Sequence, residues 1–248
     1  MYGVHLSRPN GRPRSGSSKE VAAIATKTDV QARPREPLSR ERVLRAAVAL
    51  ADEAGVESLS MRKLAHELGV VPMALYKHVA NKDELLDGMI DVVVEEIDPP
   101  IKGATWKTAI RERILSARRA LLRHPWASLV MESRTEPTAT VLAYMDSMVG
   151  MFLTGGFSID LTHHAMHAMG SRLMGFTQEL FNDTADTDLE MEQEMYAAMA
   201  ETLPNIYKLY LAVTHDDASV VGPGCDDQFE FEFALDLLLD GLEKLRDR

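Results

Sequence analysis

Apolar residues recur at helical spacing in one segment of this chain after another. Val43, Ala47, Leu50 and Ala54 keep an i, i+4, i+7, i+11 rhythm between Ser39, a residue able to cap a helix start, and Gly55, able to end one. A second helix of about two turns is expected from the Ser60 cap through Leu64 and Leu68, with Gly69 as the residue that tolerates a left-handed turn. A third short helix is expected to run through Met73 to His78, with Val70 and Leu75 facing inward. Asn81 opens a fourth, because Asn81-Lys82-Asp83-Glu84 places an acid where it answers the cap. Leu85, Leu86, Met89, Ile90, Val93 and Ile97 carry that helix to Pro99-Pro100, which stop it.

Beyond residue 104 the pattern stays helical. Thr105 to Arg123 repeats Trp106, Ile110, Ile114 and Leu121, and His124-Pro125 breaks it before a short segment to Met131. Helices follow over Thr138 to Leu153, Ser158 to Phe181, Leu189 to Val213 (interrupted at Pro204) and Gln228 to Leu245, with a polar loop over Asn182 to Asp188. No period-two alternation appears, so the expected class is all-α. Residues 1–37 hold Gly, Ser, Pro and scattered Arg without sustained apolar periodicity and read as a disordered basic tail.

Charge changes this picture more than composition does. The net charge of −11 argues against a polyphosphate partner, but it is unevenly spread. Residues 1–82 carry 14 Lys and Arg against 8 Asp and Glu, and the remainder carries 13 against 30. The basic third and the acidic remainder are expected to have different partners. No window approaches the roughly 18 apolar residues of a membrane span, and no apolar signal core opens the chain, so a cytoplasmic location is expected. The single cysteine, Cys225, offers neither an internal disulfide nor a zinc cluster. Three short helices in the basic third, the second and third joined across Gly69, have helix-turn-helix proportions, in which the third lies in the major groove of DNA.

The stretch LSRERVLRAAVALADEAGVESLSMRKLAHELGVVPMALYKHVANKDELLDGMIDVV resembles the DNA-binding region of the TetR family of bacterial transcriptional regulators. Its R-K-L-A-x-x-L-G-V, L-Y-x-H-V and N-K-x-E-L-L marks carry the resemblance. WKTAIRERILSARRALLRHP and FLTGGFSIDLTHHAMHAMGSRLMGFTQEL resemble, more weakly, the effector domain of the tetracycline-repressor branch. The resemblance implies a helix-turn-helix domain with connecting helix over residues 38–98 and an effector-binding and dimerisation domain over 99–248. It also implies a homodimeric repressor on a palindromic double-stranded operator, released by a small molecule, with no catalytic activity. Carried over, Arg62 reaches a base edge. Val71, Pro72, Met73 and Ala74 face the groove and its thymine methyls, and Tyr76, Lys77, His78 and Lys82, with Ser60, contact phosphates.

An effector pocket is expected among Trp106, Trp126, Met131, Tyr144, Met148, Phe152, His167, Met174 and Phe176, because ligand cavities are mostly apolar. Glu179 stands where the tetracycline-binding relatives keep an acid, but Met131 stands where they keep a metal-binding histidine. That substitution argues for an apolar ligand rather than magnesium–tetracycline. His163 and His167 share a helix face at i, i+4, which suits one metal ion; with no Cys and no fixed third ligand, a pocket or interface role is expected instead, with no metal and no cofactor. Dimerisation is expected through Ser158–Phe181 and Gln228–Leu245, where Phe229, Phe233, Leu237, Leu238, Leu242 and Leu245 make a broad apolar face.

Overall fold

A computed structural model describes residues 37–175, 199–213 and 227–248, and every regular element among them is helical. In chain order these are α1 (Arg40–Ala54), a 3-10 turn (Val56–Ser58), α2 (Met61–Glu67), α3 (Pro72–Leu75), α4 (Lys82–Glu95), α5 (Trp106–Arg123), α6 (Trp126–Ser133), α7 (Ala139–Thr154), α8 (Ile159–Gly175), α9 (Pro204–Val213) and α10 (Asp227–Arg246). The tail over 1–37, but for Pro37, and the expected loop Asn182–Asp188 lie outside the described residues, as do the last residues of the expected Ser158–Phe181 helix.

Polar side chains begin these helices where expected. Ser39, Ser60, Asn81, Thr105 and Thr138 each accept a backbone N–H from the first turn of α1, α2, α4, α5 and α7. Glu84 reaches back to the Ala80 N–H at 2.6 Å rather than to the cap residue itself. The third helix differs from expectation: only Pro72–Leu75 is α-helical, and a hydrogen-bonded turn continues to Val79, whose N–H donates to Leu75 O at 3.0 Å. The chain must reverse within five residues to reach the Asn81 cap, which leaves no room for a second α-turn.

Two apolar cores organise the described residues. The first is built from α1 to α4, centred on Leu64, Leu75, Leu85 and Met89, and extends to Ala120, Leu121, Trp126 and Val130 of α5 and α6. It therefore runs across residue 98. Each fully buried Leu or Met there contributes roughly 1.5–3 kcal/mol by leaving water. The second core joins α5, α7, α8 and α10 around Ile110, Phe152, Phe231 and Leu235. Arg111 of α5 laces α10 from outside, its Nε donating to Asp236 Oδ1 and its Nη2 to Glu232 Oε2, both at 2.7 Å.

Candidate DNA interface and effector cavity

The turn between α2 and α3 closes as a Schellman motif. Gly69, at φ 66°, donates its N–H to His66 O (3.1 Å) and Val70 donates to Ala65 O (2.9 Å). This geometry needs a residue free to adopt positive φ and sends the chain off α2 at a sharp angle. Pro72 then supplies the fixed φ of a helix's first turn without needing a donor. Leu75 and Val79 anchor α3 in the first core, at 0% and 1% exposure.

What remains outward is the expected surface. Val71 and Met73 are 68% and 71% exposed and Tyr76 is 46% exposed, unusual for large apolar groups in a water-facing segment. Pro72, Lys77 and Lys82 are also exposed, Ala74 and His78 are half-buried, and Arg62 and Ser60 are exposed at the start of α2. Ser60 Oγ already accepts the Lys63 N–H at 3.2 Å, which leaves its proton available to an external acceptor. Arg40 braces this surface from behind: its Nη1 donates to His78 O (2.8 Å) and to Glu84 Oε1 (2.6 Å). The Ala80 N–H, followed by Arg40, holds the Glu84 carboxyl below its ordinary range against the opposing effect of burial. Arg40 is 44 residues from Glu84, and no local pattern marks the pairing.

A polar joint ties this head to the helices behind it. His124, 6% exposed, has Nδ1 at 2.8 Å from Asp52 Oδ1 of α1 and Nε2 at 3.2 Å from Glu96 Oε1 at the end of α4. Trp126 Nε1 donates to the same Asp52 oxygen at 2.7 Å, and Arg123 Nε and Nη2 donate to Glu96 Oε2 at 3.1 and 2.5 Å. Burial pushes the Glu96 carboxyl up, but hydrogen bonds from Arg123 and His124 outweigh it and hold the group below its ordinary value.

Beside α4 lies a cavity of about 660 Å³, within the range of small-molecule sites. Val93, Val94 and Ile97 form one wall, and helices α5 to α8 form the others. Of the residues expected at an effector pocket, Met131, Tyr144, Met148, His167 and Met174 line this cavity. Trp106, Trp126 and Phe152 do not, and the expectation for them is corrected. Trp106 and Phe152 pack with Phe157 at ring separations of 4.6 to 6.3 Å in the second core, and Trp126 belongs to the Asp52 joint. Aromatic rings at helical spacing satisfied packing needs before any ligand's. Phe176 and Glu179 lie outside the described residues.

Thr162 and the α4 residues of the wall had not been expected. Val93 and Ile97 look like ordinary core positions, and only the three-dimensional void distinguishes them. His163, His164 and His167 are exposed, with His163 and His167 at a ring separation of 4.6 Å and both on the cavity wall. Among the described residues no three His, Cys, Asp or Glu side chains gather as a metal-ligand set, and no helix is long and apolar enough to cross a membrane.

On α10 the apolar positions form two stripes. Phe231, Leu235, Leu239 and Leu242 point into the second core, while Phe233, Leu237 and Leu245 are 44%, 58% and 47% exposed. Leu242 therefore belongs to the second core rather than to the outward face expected for it.

Residues 43–89 match the family described as bacterial regulatory proteins, tetR family, and residues 99–246 match the tetracyclin repressor-like C-terminal domain. The chain is 31% identical over 222 residues to the HTH-type transcriptional repressor DrrR1 of Streptomyces coeruleorubidus, covering 86% of this chain and 80% of that one. It is 30% identical to the class D tetracycline repressor protein of Escherichia coli, covering 83% and 89%. The crystal structure of the Streptomyces coelicolor TetR family protein ActR in complex with (S)-DNPA is similar at a TM-score of 0.63 and 26% identity, covering 84% of this chain and 98% of that one. With a matching helix-turn-helix region and a matching C-terminal domain that together span most of its length, the chain belongs to the TetR family of ligand-responsive, DNA-binding transcriptional repressors.

Proposed function

We propose that this chain acts as a cytoplasmic homodimer that occupies a palindromic operator and leaves it when a small, largely apolar molecule enters the cavity beside α4. The observation that carries the reading is that α4 serves both ends: Leu85 and Met89 are core to the DNA-binding head, and Val93, Val94 and Ile97 wall the cavity. A ligand that prefers a different α4 position shifts the head with it, provided its affinity for the two positions differs. In this reading residues 38–98 act as the head with its lever and 99–248 as effector and dimer domain, with no catalytic step.

At the DNA, Arg62 reads a base edge, Val71 to Ala74 meet thymine methyls, and Ser60, Tyr76, Lys77, His78 and Lys82 hold phosphates. The outward stripe Phe233, Leu237 and Leu245 on α10, together with Ile159 at 70% exposure on α8, supports pairing of these two helices across a two-fold axis. The complex of the similar protein ActR with (S)-DNPA supports a small-molecule ligand for this chain. Selection of bound sequences from a random duplex pool with the purified full-length protein tests the reading. A palindromic consensus is expected, and a pool that never enriches would refute it. Sedimentation of the same preparation as a monomer at micromolar concentration would remove the dimer.

A further inference from the structure

No Asp, Glu, Lys or Arg is among the described lining residues of the cavity beside α4, whose wall also carries the exposed His163 and His167. Two side-chain oxygens in those walls have no hydrogen-bond partner in the protein, Tyr144 Oη on α7 and Thr162 Oγ1 on α8. Thr162 is 3% exposed, and buried hydroxyls are nearly always paired. A helical threonine commonly satisfies itself on the carbonyl one turn back, and Thr162 does not. The Arg113 guanidinium stands 4.9 Å from the Tyr144 ring centroid, and the buried Tyr144 hydroxyl has no hydrogen-bond partner. Burial, opposed in part by Arg113, pushes the phenol up to about 12, so it keeps its proton at physiological pH.

We infer that Tyr144 and Thr162 are the hydrogen-bonding anchors of the effector cavity, and that the effector is a neutral, mostly apolar molecule carrying a carbonyl or hydroxyl oxygen. The inference rests on the cavity being the effector site. The lack of Asp, Glu, Lys and Arg among the described lining residues supports neutrality, since a charge moved into a site without a counter-charge is strongly disfavoured. The oxygen follows from the two hydroxyls. A ligand with no acceptor leaves both hydroxyls as unpaired as they are in the free protein, whereas a carbonyl that reaches them supplies the missing acceptor. The rest of the wall selects weakly on shape, because Met131, Met148, Met166, Met169 and Met174 are adaptable. Apart from the exposed His163 and His167, the two buried hydroxyls, on different helices, are the polar side-chain groups the assignment draws on.

A matched pair of neutral probes, 9-fluorenone and fluorene, tests this with the full-length protein, because they differ only by a carbonyl in place of a methylene. Binding is measured by titration calorimetry. Wild type is expected to prefer fluorenone about tenfold, Tyr144→Phe and Thr162→Val each to lower the preference about threefold, and the double variant to abolish it. Fluorene affinity is expected to stay within about twofold throughout, which reports an intact cavity. Thr162→Ser, which keeps the hydroxyl, is expected to retain the preference. Equal wild-type affinity for both probes, or a preference that survives in the double variant, would overturn the assignment while leaving the cavity as a ligand site. Failure of both probes to bind wild type would overturn the cavity as an apolar ligand site and the assignment with it.

Discussion

Replacing His124 with Phe isolates the polar joint between the DNA-binding head and the helices behind it. The ring volume is preserved, so no cavity opens, and the edge-on packing against Trp126 at 6.1 Å is retained. Two contacts to carboxylates are lost, at 2.8 Å to Asp52 and 3.2 Å to Glu96. Hydrogen bonds to charged groups contribute about 1.5–3 kcal/mol each when buried. Asp52 and Glu96 are 31% and 34% exposed, and both keep other donors, Trp126 and Arg123, so water and neighbours recover part of this. Recovering roughly half leaves an expected net loss of about 1.5–3 kcal/mol. With a urea slope near 3 kcal/mol/M for a chain of this size, the midpoint falls by about 0.5–1 M, read at matched protein concentration. In a cycle with Asp52→Asn the two effects are expected to be non-additive by at least about 0.5 kcal/mol. The sign with pH is also fixed. Glu96 has a depressed folded pKa, so its contribution is present above its unfolded value near 4.5 and is lost as pH falls below it. The gap between variant and wild type therefore narrows below about pH 4. A His124→Phe protein within 0.5 kcal/mol of wild type at pH 7, or strict additivity with Asp52→Asn, would refute the joint.

Three further outcomes are expected. Arg62→Ala weakens binding to a selected operator by about 1–3 kcal/mol and relaxes preference at one base pair, whereas Lys77→Ala weakens binding evenly across sequences and lowers the salt slope by about one; equal behaviour of the two in gel-shift titrations would reverse their roles. Gly155→Ala destabilises by about 1–3 kcal/mol, because a Cβ there falls 2.5 Å from Trp106 Cβ, a stiff neighbour, and an unchanged melting temperature would show that α5 and α7 are not so closely packed. Tyr144, with its folded pKa raised to about 12, contributes stability that is complete below pH 10 and is lost as pH rises toward 12. Tyr144→Phe is therefore expected to flatten the alkaline melting profile by up to about 2–3 kcal/mol, and a parallel loss in both proteins would exclude the shift.

The helix boundaries were legible because they rest on local chemistry. A serine, threonine or asparagine at each of five helix starts bonds within its own first turn, and Gly69 closes its turn through residues only a few positions away. The exposed tip of α3 was legible for a related reason: a segment so short has few inward positions, and Leu75 with Val79 fills them. The cavity was only half legible. Periodicity says which face of a helix is apolar, but not whether a neighbour fills the space in front of it. Trp106 and Met148 therefore look alike in sequence, though one packs against two phenylalanines and the other faces a void. The struts were not legible at all. Arg40 with Glu84 and His124 with Asp52 join residues 44 and 72 positions apart, and nothing local distinguishes them from solvated surface charges.

The position of the cavity along α4 sets how small a ligand-driven movement is enough. Fourteen residues make α4 about 21 Å long. Its cavity-facing residues, Val93 and Val94, lie in its last turn, and its first residue, Lys82, follows the turn that continues from α3. If the joint at Glu96 acts as the pivot, a tilt of about 6° moves the far end by roughly 2 Å, estimated from that length. In the proposed dimer two such levers move in opposite directions, changing the separation of the heads by roughly 4 Å, more than the 3.4 Å rise of one base pair. A shift of that size takes both tips out of register with half-sites whose spacing is fixed by the DNA helix. The ligand need not reach the head or distort it. It need only fit better when α4 has tilted, and the firmness of the joint at His124 determines whether that preference is delivered to the DNA or absorbed as local strain.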